Sequence, residues 1–394
     1  MKVLFVLSYY SGFHSSIKTG KWNPSGMPAV SKLFDCLTYL GIDFIVVFNT
    51  RQSSNIPLRV LNVDNFNNPI HLISNSKKNK NFRIVDDYIV WKKILKTFKL
   101  DLSKTIIYCD RANITIGALF SVFTKCLVFL RLHGVTTWLQ DSKKIKWIIY
   151  NPFIFLSFFA PFKYILCTED GSPGRFFLNK YFRFRKYDVW LNGVDKYVSP
   201  TYISNVSKVE SILFVSRLDS TKGVLEFLEL SQSIILKKIN IKIIMIGDGP
   251  MRDFVKNFLV RNNFPKNFLY LGEIPHSEIL KYYSTSSLFI SFNHLGNLSN
   301  TVLEALSCGC VPLTLKPCYK TKRDIKTYEL LSDSAFFVDR SNITNNSLKV
   351  IEELILNPHY YLEKRNNSTV FSATKLKNWD SRVLSEVKVI LSLV

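Results

Sequence analysis

Arg217 and Lys222 stand five residues apart in the stretch Ile212-Leu-Phe-Val-Ser-Arg-Leu-Asp-Ser-Thr-Lys-Gly223, where an apolar strand runs into a loop ahead of a helix. Two fixed cations at the carboxyl end of a strand, beside the positive end of the next helix, suit a phosphate or diphosphate. Taken alone, the same residues also fit a solvated strand-to-helix loop that happens to be basic. The residues downstream of Gly223 favour the phosphate site.

The elements that must position these cations repeat. Ile243–Ile246 reads as a second strand, and Gly247-Asp-Gly249-Pro250 comes after it, with a helix starting near Met251. The glycines permit close backbone approach or positive φ, and the proline suits a first helical turn. A third strand, Leu269-Tyr-Leu, ends in Gly272-Glu-Ile274-Pro275. A fourth, Ser287–Ser291, opens into the polar loop Asn293-His294-Leu-Gly-Asn297-Leu-Ser-Asn300. The helix Thr301–Ser307, carrying Glu304, then leads through Cys308-Gly309 to the strand Val311–Leu315. Neither G-x-G-x-x-G nor G-x-x-x-x-G-K-[ST] occurs, so dinucleotide and P-loop fingerprints are absent. Repeated β-loop-α units predict an α/β chain with a doubly wound parallel sheet that holds ligands at the carboxyl ends of its strands.

The first half predicts a second sheet of the same kind. Lys2–Leu7 reads as a strand, a helix is expected from about Gly26 to Leu40, and Ile42–Phe48 is the next strand. Thr105–Tyr108 reads as a strand, Ile114–Phe123 as a helix, and Cys126–Leu132 as a strand ending at His133-Gly134. A lone histidine is often structural, but one at the carboxyl edge of a strand is also placed for chemistry. Tyr164–Glu169 ends a further strand.

The order Arg217…Lys222-Gly223, Gly247-Asp-Gly-Pro250, Gly272-x-x-Pro275, Asn300-x-x-x-Glu304-Ala and Cys308-Gly309 resembles the carboxyl domain of the retaining, metal-independent GT-B glycosyltransferases usually called family 4. The resemblance implies two Rossmann-like domains facing a central cleft. It implies that Arg217 and Lys222 neutralise the diphosphate of a nucleotide-sugar, that Gly272, Ile274 and Pro275 lie beside the base, and that Glu304 takes the ribose hydroxyls. Gly247, Gly249 and Asn300 fall on the same donor side, Gly26 near the donor phosphates and His133 near the donor sugar. Asn192-Gly-Val-Asp195 resembles the segment that closes the family's first domain, and the end from Asn378 resembles its last helix. One position departs: the acid expected eight residues before Glu304 is Gly296, with His294 and Asn297 as neighbouring polar groups that could stand in. The domains expected are residues 1–200 on the acceptor side, 206–374 for the donor and 375–394 as a helix crossing back, with a hinge at Pro200 in the connection 197–207.

Composition fits this outline. The 394 residues are 47% hydrophobic, enough for two cores. Seven cysteines, with no Cys-x-x-Cys and no Asp-x-Asp, predict neither disulfides nor a metal or other cofactor. The first strand is too short for a signal-peptide core, so a cytoplasmic protein is expected. The net charge is +22 and unevenly spread: residues 1–205 hold 28 Lys and Arg against 12 acids, residues 206–394 hold 24 against 18. Clusters occur at Lys77-Lys78-Lys80, Lys92-Lys93-Lys96-Lys99, Lys143-Lys144-Lys146 and Arg183-Arg185-Lys186. Beside the third lies the apolar run Trp147–Ala160, too short for a span and broken by Asn151 and Pro152. A buried helix or a shallow interfacial segment would each explain it. The expected partners are a nucleotide-sugar donor, a glycan or lipid-linked acceptor such as lipopolysaccharide, and the anionic inner face of the cytoplasmic membrane. Nucleic acid is not expected, since no recognition helix, finger spacing or aromatic RNA-binding signature is present. The competing readings are a sugar-nucleotide epimerase and a relative that binds donor without catalysis.

Overall fold

The computed structural model describes residues 2–24, 26–50, 59–73, 83–124, 126–135, 144–195 and 207–394. Lys77, Lys78, Lys80, Lys143 and the connection read over 197–207, apart from Ser207, lie outside the described residues. The chain divides into two compact units. One comprises Met1–Thr168, Gly174–Gly193 and Trp379–Val394, the other Glu169–Pro173 and Val194–Asn378. The short segment Glu169–Pro173 therefore belongs with the second unit, which no signal in the sequence announced.

In the first unit, the strands are β1 (Lys2–Ser8), β2 (Phe44–Asn49), β3 (Arg59–Val63), β4 (Phe66–Ile73), β5 (Thr105–Asp110), β6 (Leu127–Leu132), β7 (Tyr164–Thr168) and β8 (Tyr187–Trp190). Among the described residues they form an eight-stranded sheet in the order β3-β4-β2-β1-β5-β6-β7-β8, parallel except for β3 against β4. The central strands are almost wholly buried, as unbroken runs such as Val3–Leu7 and Ile106–Cys109 require when both faces are covered. Helices α1 (Ser11–Thr19), α2 (Pro28–Tyr39), α3 (Arg83–Phe98), α4 (Ile114–Leu119), α5 (Ile145–Tyr150), α6 (Pro152–Ser157) and α7 (Gly174–Tyr181) pass between the strands.

Three features differ from the sequence reading. Helix α1 sits in what reads as an irregular loop, because only Phe13 and Ile17 are large and apolar among its nine residues. The pair β3 and β4 is also new; β3 is exposed at Arg59, Val60 and Asn62, and its apolar residues Val60, Leu61 and Val63 do not alternate. The helix read over Ile114–Phe123 is α-helical to Leu119 and continues as a π-turn over Phe120–Thr124.

The second unit has β9 (Ser211–Val215), β10 (Lys242–Ile246), β11 (Phe268–Tyr270), β12 (Leu288–Ser291), β13 (Val311–Leu315) and β14 (Phe336–Val338). All pair in parallel, in the order β11-β10-β9-β12-β13-β14. Counted from β9 this is 3-2-1-4-5-6, the order of doubly wound nucleotide-binding sheets, and the direction of winding reverses between β9 and β12. The connecting helices are α8 (Val224–Leu236), α9 (Arg252–Arg261), α10 (His276–Thr285), α11 (Asn300–Ser307), α12 (Ile325–Leu331), α13 (Ile343–Leu356) and α14 (Pro358–Lys375).

The last helix, α15 (Trp379–Leu391), returns to the first unit. Trp379, Val383, Val387 and Ile390 join the cluster of Val3, Phe5, Phe34 and Tyr108. Glu386, 1% exposed, lies between two buried arginines, Nε of Arg131 at 3.5 Å and Nη1 of Arg382 at 2.9 Å, and accepts the Tyr108 hydroxyl at 2.7 Å. Removing one member of such a buried ionic group typically costs about 3–5 kcal/mol, because an uncompensated charge remains.

Candidate functional site

Both cations of the opening motif stand at the switch point of the second sheet. β9 ends at Val215, and Arg217 comes two residues later, exposed. Its backbone is held by the glycine loop on both sides: Ser216 N donates to Ile246 O (3.1 Å) and Leu218 N to Asp248 O (2.9 Å). A Cβ on Gly247 would lie 1.8 Å from Ser216 O, and one on Gly249 2.5 Å from Leu218 O. The two glycines thus let their loop press against the residues that flank Arg217, and this contact is within the protein. Gly247 N also donates to Gly272 O at 2.7 Å, which ties in the third loop.

Asp219 caps the short 3-10 turn Ser220–Lys222, accepting from Thr221 N (2.8 Å) and Thr221 Oγ1 (2.6 Å). Gly223 is next at φ +74, and a Cβ there would lie 2.4 Å from Phe292 Cβ and 2.6 Å from its carbonyl. Only glycine brings the loop after β9 this close to the loop after β12. Lys222 is consequently half-buried. Burial lowers its ammonium below the ordinary lysine range; Asp219 and Asp170 oppose that shift and Arg217 adds to it. Among the described residues neither Arg217 nor Lys222 enters an ion pair or side-chain hydrogen bond. Two cations thus stand on the short loop between the end of β9 and the start of α8, an arrangement that can take a diphosphate.

The loop after β12 is fixed by its own polar groups. His294 N donates to Thr221 O (2.8 Å), His294 Nε2 meets Glu226 Oε1 at 2.7 Å, and Arg323 Nη1 donates to His294 O at 2.8 Å. Burial raises the Glu226 carboxyl, but the His294 hydrogen bond prevails and holds it below its ordinary value. Asn297 is fully buried and its amide is engaged throughout: Oδ1 accepts from Ser291 Oγ (2.9 Å) and Asn293 N (2.9 Å), while Nδ2 donates to Asn293 O (2.8 Å) and Asp324 Oδ2 (2.9 Å). Its side chain organises the loop and has no spare group for a ligand. Buried Asp324 also accepts Asn297 N (2.6 Å) and Arg340 Nη2 (2.5 Å); burial raises its carboxyl in spite of these partners.

Glu304 lies on the inner face of α11, 7% exposed, with Oε1 3.1 Å from His276 Nε2. His276 opens α10 directly after Pro275, so the Gly272-Glu-Ile274-Pro275 turn delivers a ring that orients the carboxylate. The Nδ1 of His276 is 4.0 Å from Asp195 Oδ2. Gly272 has φ +66 with open space around it, while Ile274 is half-buried and Pro275 exposed. Asn300 begins α11, half-buried. Sequence reasoning missed His276, Glu226 and Asp324; a histidine next to a turn proline, and an aspartate after Arg323, carry no pattern on their own.

In the first unit, Asp110 ends β5 beside β1 and is fully buried. It accepts from Ser8 N (2.7 Å), Asn113 N (3.0 Å), Asn113 Nδ2 (2.8 Å) and the Tyr10 hydroxyl. The Tyr10 ring meets His133 edge-on at 6.2 Å. His133 comes directly after β6; burial, then the guanidiniums of Arg131, Arg111 and Arg382, push it well below the ordinary histidine value, and among the described residues its Nε2 has no hydrogen-bond partner. It is therefore a neutral imidazole at neutral pH. Gly26 precedes α2 at φ +72 with open space around it, two residues before Pro28 at the first helical turn. Tyr10 and Asp110 were not foreseen. Among the described residues no group of three or more His, Cys, Asp or Glu has the arrangement of a metal site, and all seven cysteines are unpaired.

Comparison with known proteins adds to this geometry. Residues 203–369 match the family described as Glycosyl transferases group 1. The 2-deoxystreptamine N-acetyl-D-glucosaminyltransferase of Niallia circulans is 26% identical over 104 residues, 26% of this chain and 26% of that protein. The matched stretch is thus about a quarter of the relative's length. Among solved structures, sucrose-phosphate synthase from Thermosynechococcus elongatus superposes with TM-score 0.70 at 12% identity, covering 100% of this chain and 99% of that one. HepE of Anabaena, solved with UDP, gives TM-score 0.70 at 14% identity with both chains covered in full, and it has also been solved with UDP-glucose. The two parallel-sheet units have the fold of the GT-B glycosyltransferases, and residues 203–369 are similar to the glycosyl transferases group 1 family.

Proposed function

We propose that the chain transfers a sugar from a nucleotide-sugar to a hydroxyl of a surface glycan or lipid-linked acceptor, with retention at the anomeric carbon and without a metal. The observation that carries this reading is the pair Arg217 and Lys222, which among the described residues enter no salt bridge and stand with the start of α8 at the switch point. As the glycosidic bond breaks, the departing diphosphate gains negative charge, and cations fixed beforehand stabilise it more in the transition state than in the bound donor. Glu304, oriented by His276, offers carboxylate oxygens to ribose hydroxyls. No carboxylate among the described residues is assigned as a nucleophile, and the reading is front-face attack in which the leaving phosphate takes the acceptor proton. That HepE binds UDP and UDP-glucose supports a nucleotide-sugar as donor.

The basic, apolar surface of the first unit supports an anionic, lipid-anchored acceptor and a cytoplasmic enzyme held peripherally at the inner face of the membrane. The experiment incubates the protein with a panel of nucleotide-sugars and lipid-linked acceptors and reads products by mass spectrometry. Transfer is expected; epimerised donor, or binding without turnover, would replace this reading by the corresponding alternative. Arg217→Ala and Lys222→Ala should each lower turnover by about 100-fold or more, the usual effect of losing an oxyanion donor. Unchanged turnover in both variants would remove the assignment.

A further inference from the structure

Gly296 leaves the donor site without an acid at the position where the motif pattern expects one, and the structure supplies the steric reason. A Cβ at Gly296 would lie 2.5 Å from Asp170 O, 2.7 Å from Ser172 N and 2.8 Å from Gly171 C. No side chain fits, because the segment Glu169–Pro173 runs across this face of the loop within the second unit. The segment is clamped from both sides. Leu298 N donates to Asp170 O (3.1 Å), and Asp324 N donates to Gly171 O (2.8 Å). A Cβ on Gly171, at φ +83, would lie 2.5 Å from Asp324 Oδ1 and 2.7 Å from Asn297 N. Three segments thus meet with glycine at both points of contact, Gly171 and Gly296.

The junction delivers a carboxylate. Asp170 is half-buried, and its Oδ1 accepts Ser172 N at 3.0 Å, an aspartate-turn bond that fixes the side chain relative to the clamped backbone. We propose that Asp170 contacts the sugar of the bound donor, taking over from the excluded residue 296 as the acid that binds a sugar hydroxyl and faces the positive charge developing at the anomeric carbon. Its charge also acts on Lys222, which places it at the phosphate-binding end of the same site. A carboxylate held by rigid neighbours loses little freedom on binding and stays aimed through the reaction. The inference rests on the proposed donor reading and adds the residue that distinguishes the sugar from the nucleotide.

The test separates the two. Affinities for UDP and UDP-glucose, and for GDP and GDP-mannose, are measured by calorimetry on the full chain and on Asp170→Asn and Asp170→Ser, both of which retain an acceptor for Ser172 N. With whichever pair binds the parent, the variants should hold the free diphosphate as tightly or up to several-fold more tightly, since a negative charge beside Lys222 is gone. They should bind the nucleotide-sugar at least 10-fold more weakly relative to the diphosphate, and release of diphosphate from the donor should slow by a comparable factor or more. Equal losses for diphosphate and nucleotide-sugar, or no loss for either, would overturn the role of Asp170 while leaving the donor site standing. If neither pair binds the parent, the donor reading fails and this inference with it.

Discussion

Lys222 shows how a single residue can link binding to pH. Its ammonium is lowered by burial, with Asp219 and Asp170 opposing and Arg217 assisting. A bound diphosphate restores the lost stabilisation of the cation and raises the pKa again. On the proposed donor reading, affinity should be full below the free-site pKa and fall as pH rises through it, with proton uptake on binding between the free and bound values. Titrations at alkaline pH in two buffers of different ionisation enthalpy should show proton uptake that Lys222→Met abolishes; affinity independent of pH would contradict the placement. Arg217, Lys222 and Glu304 were singled out in the sequence because each belongs to a motif with fixed spacing. Asp170 was not, since its place depends on a tertiary junction more than 120 residues distant in sequence from Gly296 and Asn297. Nor was Asp110, whose importance lies in the backbone amides and hydroxyl that it accepts.

The loops of the second sheet divide their glycines by physical role, and substitution should separate them. Gly247 combines φ +138 with a Cβ position 1.8 Å from Ser216 O, whereas Gly272 has φ +66 and nothing nearby. Alanine at 272 incurs only the left-handed backbone cost, about 1–2 kcal/mol. Alanine at 247 must also displace the backbone that carries Arg217, so Gly247→Ala should melt at a lower temperature than Gly272→Ala and lose more turnover. Equal melting temperatures and equal activities would show that the loop does not set the position of Arg217. The strands and helices of this unit were readable because unbroken apolar runs alternate with loops rich in glycine and proline. In the first unit α1, β3 and β4 escaped, since α1 holds only two large apolar residues and the apolar residues of β3 and β4, Val60, Leu61, Val63, Phe66, Ile70, Leu72 and Ile73, keep no strict alternation. The fate of Glu169–Pro173 was likewise hidden, because unit membership depends on packing and leaves no trace in composition.

For the molecule as a whole, the imbalance of charge lies in the first half of the chain, where apolar side chains also reach the surface. On α5 and α6, Ile145, Ile149, Tyr150, Phe153 and Leu156 are exposed, Tyr150 by 82%. Beside them a groove of about 380 Å³ runs between α4 and α6, lined by Leu119, Val122, Phe123, Phe153, Leu156 and Phe159. Exposed Phe184 stacks under Arg183, and Arg185 donates to the carbonyls of Phe159 and Ala160, so guanidiniums border the apolar face. Among the described residues no helix is long and apolar enough to cross a membrane, and two helices of six residues interrupted at Asn151 suit shallow insertion instead. Each cation near an anionic surface contributes about 1 kcal/mol, so on the proposed membrane reading Lys144, Lys146, Arg183 and Lys186 would suffice for reversible docking. Vesicles containing anionic lipid should therefore float the protein, and neutral vesicles should not. Raising salt from about 0.1 M to about 1 M shortens the screening length from about 10 Å to about 3 Å and should release it. Ile149→Ser combined with Tyr150→Ser should weaken vesicle binding by about 10-fold or more while leaving affinity for the nucleotide donor unchanged, because neither side chain belongs to the second unit. Retention on neutral vesicles, or binding by the double variant equal to that of the parent, would exclude this face as the one that meets the membrane.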